Sequence, residues 1–232
     1  HSQARLFVLP CIAGHVGADT AGVILAESPD SNDAMSLIVD VGTNAEIVLG
    51  NKDRLLVCSS PTGPAFEGGE ISAGQRATAG AIERVRIDRE TLEPKFRVIG
   101  SELSSTEAGF AESTKELNIT GICGSGIIEV VAEMFLAGII SEDGIVDGAL
   151  AERSSRVRSH GRTWSYVLHF AEDETQRDIV VTQNDVRQIQ LAKAALYAGS
   201  KLLMDKMGVS AVDRIRLAGA FGSHISVEHA MV

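Results

Sequence analysis

The sequence predicts an α/β protein built on a mixed β-sheet. Three apolar runs, Leu37–Val41, Glu46–Leu49 and Leu55–Ser59, are separated by short polar turns, which is typical of an antiparallel meander. A long helical pattern runs from about Gln183 to Met207, and Ile215–Ala218 resembles a short buried strand that follows it. Strands joined both by hairpins and by helical segments form a mixed sheet with flanking helices.

The remaining elements follow from the same kinds of pattern. Small and apolar residues from 18 to 26 predict a close-packed helix. Ile82–Ile87 and Phe96–Ile99 predict two strands around a polar turn, and a strongly helical stretch starts at Gly126. Thr182 is expected to cap the long helix through its hydroxyl.

The composition argues against several classes of function. The 232 residues carry a net charge of −10, and phosphate backbones attract basic surfaces, so nucleic acid is not expected as a partner. No apolar run approaches the roughly 20 residues that span a bilayer, and the first residues do not resemble a signal peptide. Cys11, Cys58 and Cys123 are too far apart for a metal-ligand pair, and because they are distant and odd in number they do not indicate a disulfide framework. We therefore expect a cytoplasmic protein with free thiols and no membrane partner.

The first candidate site is the DVGTN turn, Asp40–Asn44, which follows the first strand. Gly42 can adopt a positive φ angle, so the chain can reverse sharply and present consecutive N–H groups to a phosphate. Thr43 and Asn44 add side-chain donors, and Asp40 is placed to hold a water on Mg²⁺ bound to that phosphate. Taken alone, the motif is explained better by a solvated hairpin whose Asp and Asn stabilise the turn.

The second candidate is LAGAFGS, Leu217–Ser223, where a strand ends in small residues. Gly219, Ala220 and Gly222 would let the backbone lie flat against a planar ligand such as adenine. A strand-to-helix turn packed closely on its neighbour would need the same residue types, so this motif alone is weak evidence.

The third candidate is GICGSG, Gly121–Gly126, which opens a predicted helix. Helix N-termini carry N–H groups and a partial positive charge that attract anions, which makes Gly124 and Ser125 candidate nucleotide contacts. The segment is neither a P-loop nor a nucleophile elbow. Cys123 is interpreted as a buried small residue rather than a reactive thiol.

The fourth candidate is AGHVGAD, Ala13–Asp19, before the first helix. Gly14 and Gly17 would permit close approach of another helix or lobe. Asp19 could face a metal ion or could cap the helix, and the sequence leaves both interpretations open.

Together, these motifs resemble one family. The order PCIAGHVGAD, DVGTNAEIVLGNKDRLLVCSSPTGPAFEGGEIS, TGICGSG, TQNDVRQIQLAKAAL and LAGAFGS is similar to the C-terminal ATPase region of the reductive activators of corrinoid proteins. That region belongs to the superfamily of acetate and sugar kinases, heat-shock chaperones and actin (ASKHA). The resemblance covers most of the chain, is weakest at 140–180, and is most specific in the DVGTN and GPAFEG stretches. It implies a ribonuclease H-like fold.

The resemblance also implies roles for residues of this chain in a Mg-ATP site. Asp40–Asn44 corresponds to the second phosphate motif, with Asp40 acting through a metal-bound water. Asp19 lies in the segment that connects two lobes and is a second candidate for the metal. The adenosine motif corresponds to Gly219, Ala220, Phe221 and Gly222.

The resemblance implies that residues 1–35 end a first lobe and its connecting segment. Residues 36–232 would form the second lobe, truncated at its C-terminus and interrupted near 140–180 by an inserted hairpin with an acidic turn. His1-Ser2 is expected to be a cut end or tag remnant, and the first phosphate hairpin is expected to precede it. Such an incomplete two-lobed ATPase would hold half of a nucleotide cleft, so the isolated chain is expected to bind ATP weakly and to be inactive.

The function implied by the resemblance is ATP-dependent repair of a corrinoid cofactor. Corrinoid methyltransferase proteins lose reactive Co(I) by oxidation to Co(II), and the activator returns the electron. The electron would come from a [2Fe-2S] cluster on an N-terminal domain outside this chain. ATP and a corrinoid protein are the implied partners, and a homodimer is left open.

Three other functions are compatible with the same motifs. An activator of radical dehydratases would hold a [4Fe-4S] cluster between two subunits through a cysteine such as Cys123, and iron in the purified protein would favour it. A small-molecule kinase would phosphorylate acetate, glycerol or sugars. A non-catalytic interaction domain would keep the fold and would fail to bind ATP.

Overall fold

The computed structural model describes residues 3–171 and 176–232, so His1-Ser2 and the acidic positions of the turn predicted near 172–174 lie outside the described residues. The chain forms two compact units. Unit 1 comprises His1–Thr62 and Lys193–Ser223, and unit 2 comprises Gly63–Ala192 and His224–Val232. Each unit is thus made of two segments that are distant in sequence. The lobe boundary expected between residues 35 and 36 stays a prediction.

Most strands follow one another in hairpin-linked groups, and short 3-10 helices lie at Pro29–Ser31, Pro64–Glu67 and Gly148–Glu152. Each predicted strand and helix is present, and the bounds predicted from the sequence agree within two residues. The strand predicted at Ile215–Ala218 is not buried as expected, because Ile215 is 56% exposed. In chain order the elements are α1 (Ala18–Glu27), β1 (Ser36–Asp40), β2 (Ala45–Gly50), β3 (Leu55–Ser60), β4 (Ile82–Ile87), β5 (Pro94–Val98), α2 (Phe110–Thr114), α3 (Gly124–Leu136), β6 (Val157–His160), β7 (Thr163–His169), β8 (Ile179–Thr182), α4 (Gln183–Met207), β9 (Arg214–Ala218), α5 (Gly219–Gly222) and α6 (Val227–Ala230).

Unit 1 is built on a four-stranded sheet with the order β3-β2-β1-β9. β1 is antiparallel to β2, and β2 is antiparallel to β3, which confirms the predicted meander. β9 lies parallel to β1, with Ser36 opposite Arg214 and Asp40 opposite Ala218. The predicted mixed sheet is therefore confirmed, and its two parallel strands end side by side.

The core of unit 1 depends on apolar residues of β1 and β2 that are buried on both faces of the sheet. Ile47 and Leu49 are fully buried, and Ile38 is almost so. The C-terminal part of α4 contacts the sheet at Gly199, where an added Cβ would lie 2.8 Å from Ile47 Cδ1. The Ser60 hydroxyl donates to the carbonyl of Ala195 in the same helix at 2.6 Å, which fixes the end of β3 to α4.

Unit 2 contains two smaller sheets, β4-β5 and β6-β7-β8. Two carboxylates of α3 bond to the backbone of β4: Glu129 accepts from Val85 N–H at 2.8 Å and Glu133 accepts from Ile87 N–H at 2.9 Å. Carboxylates thus take the place of a neighbouring strand along this edge of β4. The hairpin predicted near 151–180 is present as β6 and β7, with β8 as a third strand.

The long helix α4 begins with a reciprocal pair of capping bonds. Asp185 N–H donates to the Thr182 hydroxyl at 3.2 Å, and Thr182 N–H donates to the Asp185 carboxylate at 2.7 Å. This arrangement satisfies two backbone donors at the helix start and confirms the predicted cap. Across the described ranges, the helices all fall short of the length and apolarity that a membrane span needs.

Close packing of α3 on β4 gives a stability prediction. An added Cβ at Gly126 would lie 2.3 Å from the backbone oxygen of Ile82. Backbone cannot move away as a side chain can, so we expect Gly126→Ala to lower the free energy of unfolding by about 1–3 kcal/mol. Denaturant unfolding followed by circular dichroism measures this change.

Gly22→Ala is the matched control, because Gly22 also lies inside a helix but its added Cβ would meet Leu9 Cδ1 at an ordinary 3.4 Å. Helix propensity alone should stabilise that variant by up to about 1 kcal/mol. Equal stabilisation of both variants would show that α3 does not pack on β4 as described.

Candidate functional site

The DVGTN turn and the GAFG segment lie side by side in unit 1. Asp40 ends β1 directly opposite Ala218, which ends the parallel strand β9. Gly219 follows with φ +81°, and an added Cβ there would lie 2.4 Å from Asp40 Oδ1. Ligands of α/β proteins bind beyond the carboxyl ends of parallel strands, which is where both motifs lie. Asp40 and Gly219 are thus close in space, as roles in one Mg-ATP site require.

The segment after β9 is one helical turn, α5, rather than an irregular glycine loop. Gly219 and Ala220 are exposed, Phe221 is half-buried and Gly222 is buried. At Gly222 an added Cβ would lie 3.0 Å from the carbonyl carbon of Leu217. A glycine here therefore allows the helical turn to pack closely against the end of β9. The two exposed small residues leave the backbone of the first half of the turn accessible.

Thr43 and Asn44 are exposed at the tip of the DVGTN turn, while the flanking Val41 and Ala45 are buried. The turn is therefore anchored at both ends by the core and presents its polar residues outward. Such a turn can bring backbone N–H groups and the two side chains toward an anion. Gly42 is not among the described glycines with a positive φ angle, so the backbone conformation that the sequence suggested for it is not found. The roles of Gly42, Thr43 and Asn44 as phosphate ligands stay predictions.

Asp40 is half-buried, and its surroundings do not favour a negative charge. Burial raises the pKa of its carboxyl above the ordinary value of 3.8, and the negative charge of Asp19 raises it further. The two carboxylates therefore act on each other inside unit 1. A divalent cation near them would offset this repulsion, which fits the predicted Mg²⁺ site.

Asp19 lies in the first turn of α1 and does not cap it. The N-cap is Gly17, which makes no side-chain cap bond, and the Asp19 carboxylate accepts instead from Thr20 N–H at 2.7 Å. An added Cβ at Gly17 would lie 2.6 Å from Asp19 Oδ1, so the carboxylate folds back over this glycine. Of the two interpretations left open by the sequence, the capping one is wrong.

The close approach predicted for Gly14 is not found, since an added Cβ there would meet no atom of the described residues within 4 Å. Within those residues there is also no group of three or more His, Cys, Asp or Glu side chains that could enclose a metal ion. A cation held through waters by one or two carboxylates and by a bound phosphate does not require such a group.

Gly124 and Ser125 belong to unit 2 and are buried at the start of α3. The Ser125 hydroxyl donates to the backbone oxygen of Glu83 at 3.3 Å and lies 3.4 Å from Cys123 Sγ. Cys123 is only 1% exposed, which confirms its interpretation as a buried small residue. These contacts give the GICGSG segment a packing role, and the nucleotide role of Gly124 and Ser125 stays a prediction.

Thr62 is a contact of the DVGTN turn that the sequence motifs did not indicate. Its hydroxyl lies 2.7 Å from the backbone oxygen of Gly42 and 3.1 Å from that of Thr43. The only local signal is its place in the SSPTGP stretch, whose two serines end the half-buried strand β3 shortly before Thr62.

Comparison with known proteins places the chain in a family. A family model described as the C-terminal domain of RACo, the ASKHA domain, matches residues 34–232. The chain therefore belongs to this family, as its motifs indicated. The expected ASKHA-type fold is confirmed by the same match and by a solved structure.

That solved structure is a reductive activator for a corrinoid, iron–sulfur protein, with a TM-score of 0.81 and 35% identity, covering 96% of this chain and 33% of that one. The corrinoid activation enzyme RamQ of Eubacterium limosum is 35% identical over 230 residues, which are 96% of this chain and 36% of RamQ. A Co(II) methylated amine-specific corrinoid protein reductase of Methanosarcina barkeri is 26% identical over 99% of this chain and 40% of its own length. The chain thus spans between 33% and 40% of the length of these relatives.

The raised pKa of Asp40 gives a prediction about stability and pH. Because this pKa is higher in the folded protein than in the unfolded chain, ionisation of Asp40 opposes folding at neutral pH. The penalty decreases as the pH falls through the raised pKa and is absent well below 3.8. We therefore expect Asp40→Asn to raise the unfolding free energy of the ligand-free protein at pH 7 and to give no gain in strong acid.

Asp53→Asn is the control for this experiment, because Asp53 is an exposed carboxylate in the turn after β2. Urea unfolding at a series of pH values should show no gain for that variant. A destabilised Asp40→Asn variant at pH 7 would mean that the Asp40 charge is stabilised in the ligand-free protein, contrary to the burial and repulsion described.

Gly219 gives a second prediction, since it combines φ +81° with the contact to Asp40. Backbone strain in Gly219→Ala should lower the free energy of unfolding by roughly 1–2 kcal/mol, and displacement of the Asp40 carboxylate should lower it further. Gly208→Ala is the matched control, because Gly208 has φ +76° in the same unit and open space around an added Cβ. Thermal unfolding compares the two variants, and equal losses would show that Gly219 does not constrain Asp40.

Proposed function

We propose that this chain is the ATP-binding part of a reductive activator that returns corrinoid proteins from Co(II) to Co(I). The observation that carries the proposal is the DVGTN turn at the end of β1 beside GAFG at the end of the parallel strand β9, in a chain of the ASKHA-domain family. The names of its relatives, a corrinoid activation enzyme and a Co(II) corrinoid protein reductase, support the corrinoid task.

The residues present fit Mg-ATP. Asp19 and Asp40 concentrate negative charge where a cation would stabilise it. Thr43 and Asn44 are exposed donors on the turn, and Gly219 with Ala220 offers accessible backbone beside it. A triphosphate with a divalent cation needs this combination of donors and carboxylates in one place.

In the proposed site each residue has a separate task. Asp40 would hold a water on the cation and orient it, and Asp19 would add charge that keeps the cation near. The turn N–H groups with Thr43 and Asn44 would bind phosphate oxygens, and Gly219–Gly222 would border the nucleoside. Mg²⁺, when bound, would supply positive charge to the phosphate that is transferred to water.

ATP hydrolysis would be linked to electron transfer through conformation. Reduction of Co(II) to Co(I) adds one electron, which in this proposal comes from a [2Fe-2S] cluster outside this chain. The nucleotide would favour the conformation in which the activator binds its corrinoid partner and transfers that electron. The chain's contribution is thus the nucleotide-dependent change in conformation, not the redox centre.

The radical-dehydratase alternative is less consistent with the structure. A cluster shared between two subunits needs a cysteine at the surface of each, and Cys123 is buried against Ser125 at the start of α3. The described residues offer no specific support for a kinase substrate site either, so the corrinoid activator is the function that we retain.

The test is Asp40→Asn in the full-length protein. The substitution keeps the size and removes the charge that would hold the metal-bound water, so we expect ATP hydrolysis to fall by about 100-fold or more, with Co(II) to Co(I) reduction lost in parallel. Hydrolysis and reduction of a corrinoid protein are measured side by side, with circular dichroism as the folding control and Asp53→Asn as the matched variant.

Wild-type rates of both reactions in a folded Asp40→Asn variant would mean that Asp40 only shapes the turn. If hydrolysis were lost while reduction stayed at the wild-type rate, the proposed link between ATP and electron transfer would be wrong. Iron content should be unchanged in every variant, because the cluster lies outside this chain.

A further inference from the structure

We propose that Thr62 is a positioning residue that directs the backbone N–H groups of the DVGTN turn toward the nucleotide phosphates. The proposal rests on the proposed function and adds a residue that belongs to no phosphate or adenosine motif. Its basis is the pair of contacts from the Thr62 hydroxyl to the backbone oxygens of Gly42 and Thr43.

The direction of these hydrogen bonds follows from chemistry. A carbonyl oxygen only accepts, so the Thr62 hydroxyl must be the donor to both oxygens. A hydroxyl has one proton, and it is therefore shared between the Gly42 oxygen at 2.7 Å and the Thr43 oxygen at 3.1 Å. One side chain thus fixes the orientation of two successive peptide groups.

The orientation of those carbonyls determines where the N–H groups point. In a planar trans peptide the C=O and the following N–H point in opposite directions. With the oxygens of Gly42 and Thr43 directed at Thr62, the N–H groups of Thr43 and Asn44 are directed away from it. Thr43 and Asn44 are exposed at the tip of the turn, on the side where the proposal places the phosphate.

Thr62 is itself held in place, which a positioning residue requires. Thr62 is only 6% exposed, and its own N–H donates to the backbone oxygen of Ser60 at 3.0 Å. The backbone of Ser60 is in turn paired with Ala45 of β2. The turn is therefore anchored at both ends by β1 and β2 and from beneath by Thr62.

The test compares Thr62→Val, which keeps the shape and removes the donor, with Thr62→Ser, which keeps the hydroxyl. In the full-length protein we expect Thr62→Val to raise the calorimetric Kd for Mg-ATP about tenfold, as the loss of aligned donors predicts. Thr62→Ser should stay within about twofold of wild type. At saturating Mg-ATP the hydrolysis rate of Thr62→Val should fall less than its affinity, because the charge of Asp40 remains.

Ser60→Ala is the matched control, since it removes a buried hydroxyl two residues away that bonds to α4 and not to the turn. It should lower the melting temperature and leave the Kd for Mg-ATP unchanged. Rescue by Thr62→Ser together with a normal Kd for Ser60→Ala would support the positioning role.

Two results would overturn the inference while leaving the proposed function intact: a folded Thr62→Val variant with the wild-type Kd, or equal losses of affinity in Thr62→Val and Ser60→Ala. Wild-type full-length protein that shows no heat of binding with Mg-ATP would overturn the proposed function and, with it, the role of Thr62.

Discussion

The parallel pairing of β1 with β9 is the constraint on which the candidate site depends. The two strands come from opposite ends of the chain, and their register places Asp40 beside Ala218. Both segments that follow are short and tightly turned, so DVGTN and GAFG must lie next to each other. A shift of this register would move Gly219 away from Asp40 and separate the two motifs.

The same arrangement explains why the ligand-free site lowers the stability of the folded protein. Asp40 is half-buried and repelled by Asp19, and both effects raise its pKa. Functional sites commonly hold charges in positions that do not favour folding. A cation and a phosphate would remove this cost, so binding would be linked to stability of unit 1. Thr62 contributes to the proposed site in another way, because its hydroxyl orients the peptide groups of the DVGTN turn and adds no charge.

Local patterns in the sequence predict the strands and helices well, because β1, β2 and β3 alternate with short turns and α4 carries both its cap and its apolar face. They also indicate Thr43 and Asn44 as candidate phosphate ligands. They do not reveal that Ala218 lies beside Asp40, since this contact depends on long-range pairing; resemblance to a family was needed for that. The contact of Thr62 with Gly42 and the burial of Ser125 were missed because they depend on packing between distant segments.

A crystal structure of the full-length protein with a non-hydrolysable Mg-ATP analogue tests the central claim most directly. The account predicts phosphate oxygens against the N–H groups of Thr43 and Asn44, a hydrated metal ion facing Asp40, and the nucleoside along Gly219–Gly222. Thr62 should still contact the oxygens of Gly42 and Thr43. Nucleotide bound at another place, with the DVGTN turn and GAFG free of ligand contacts, would contradict the account.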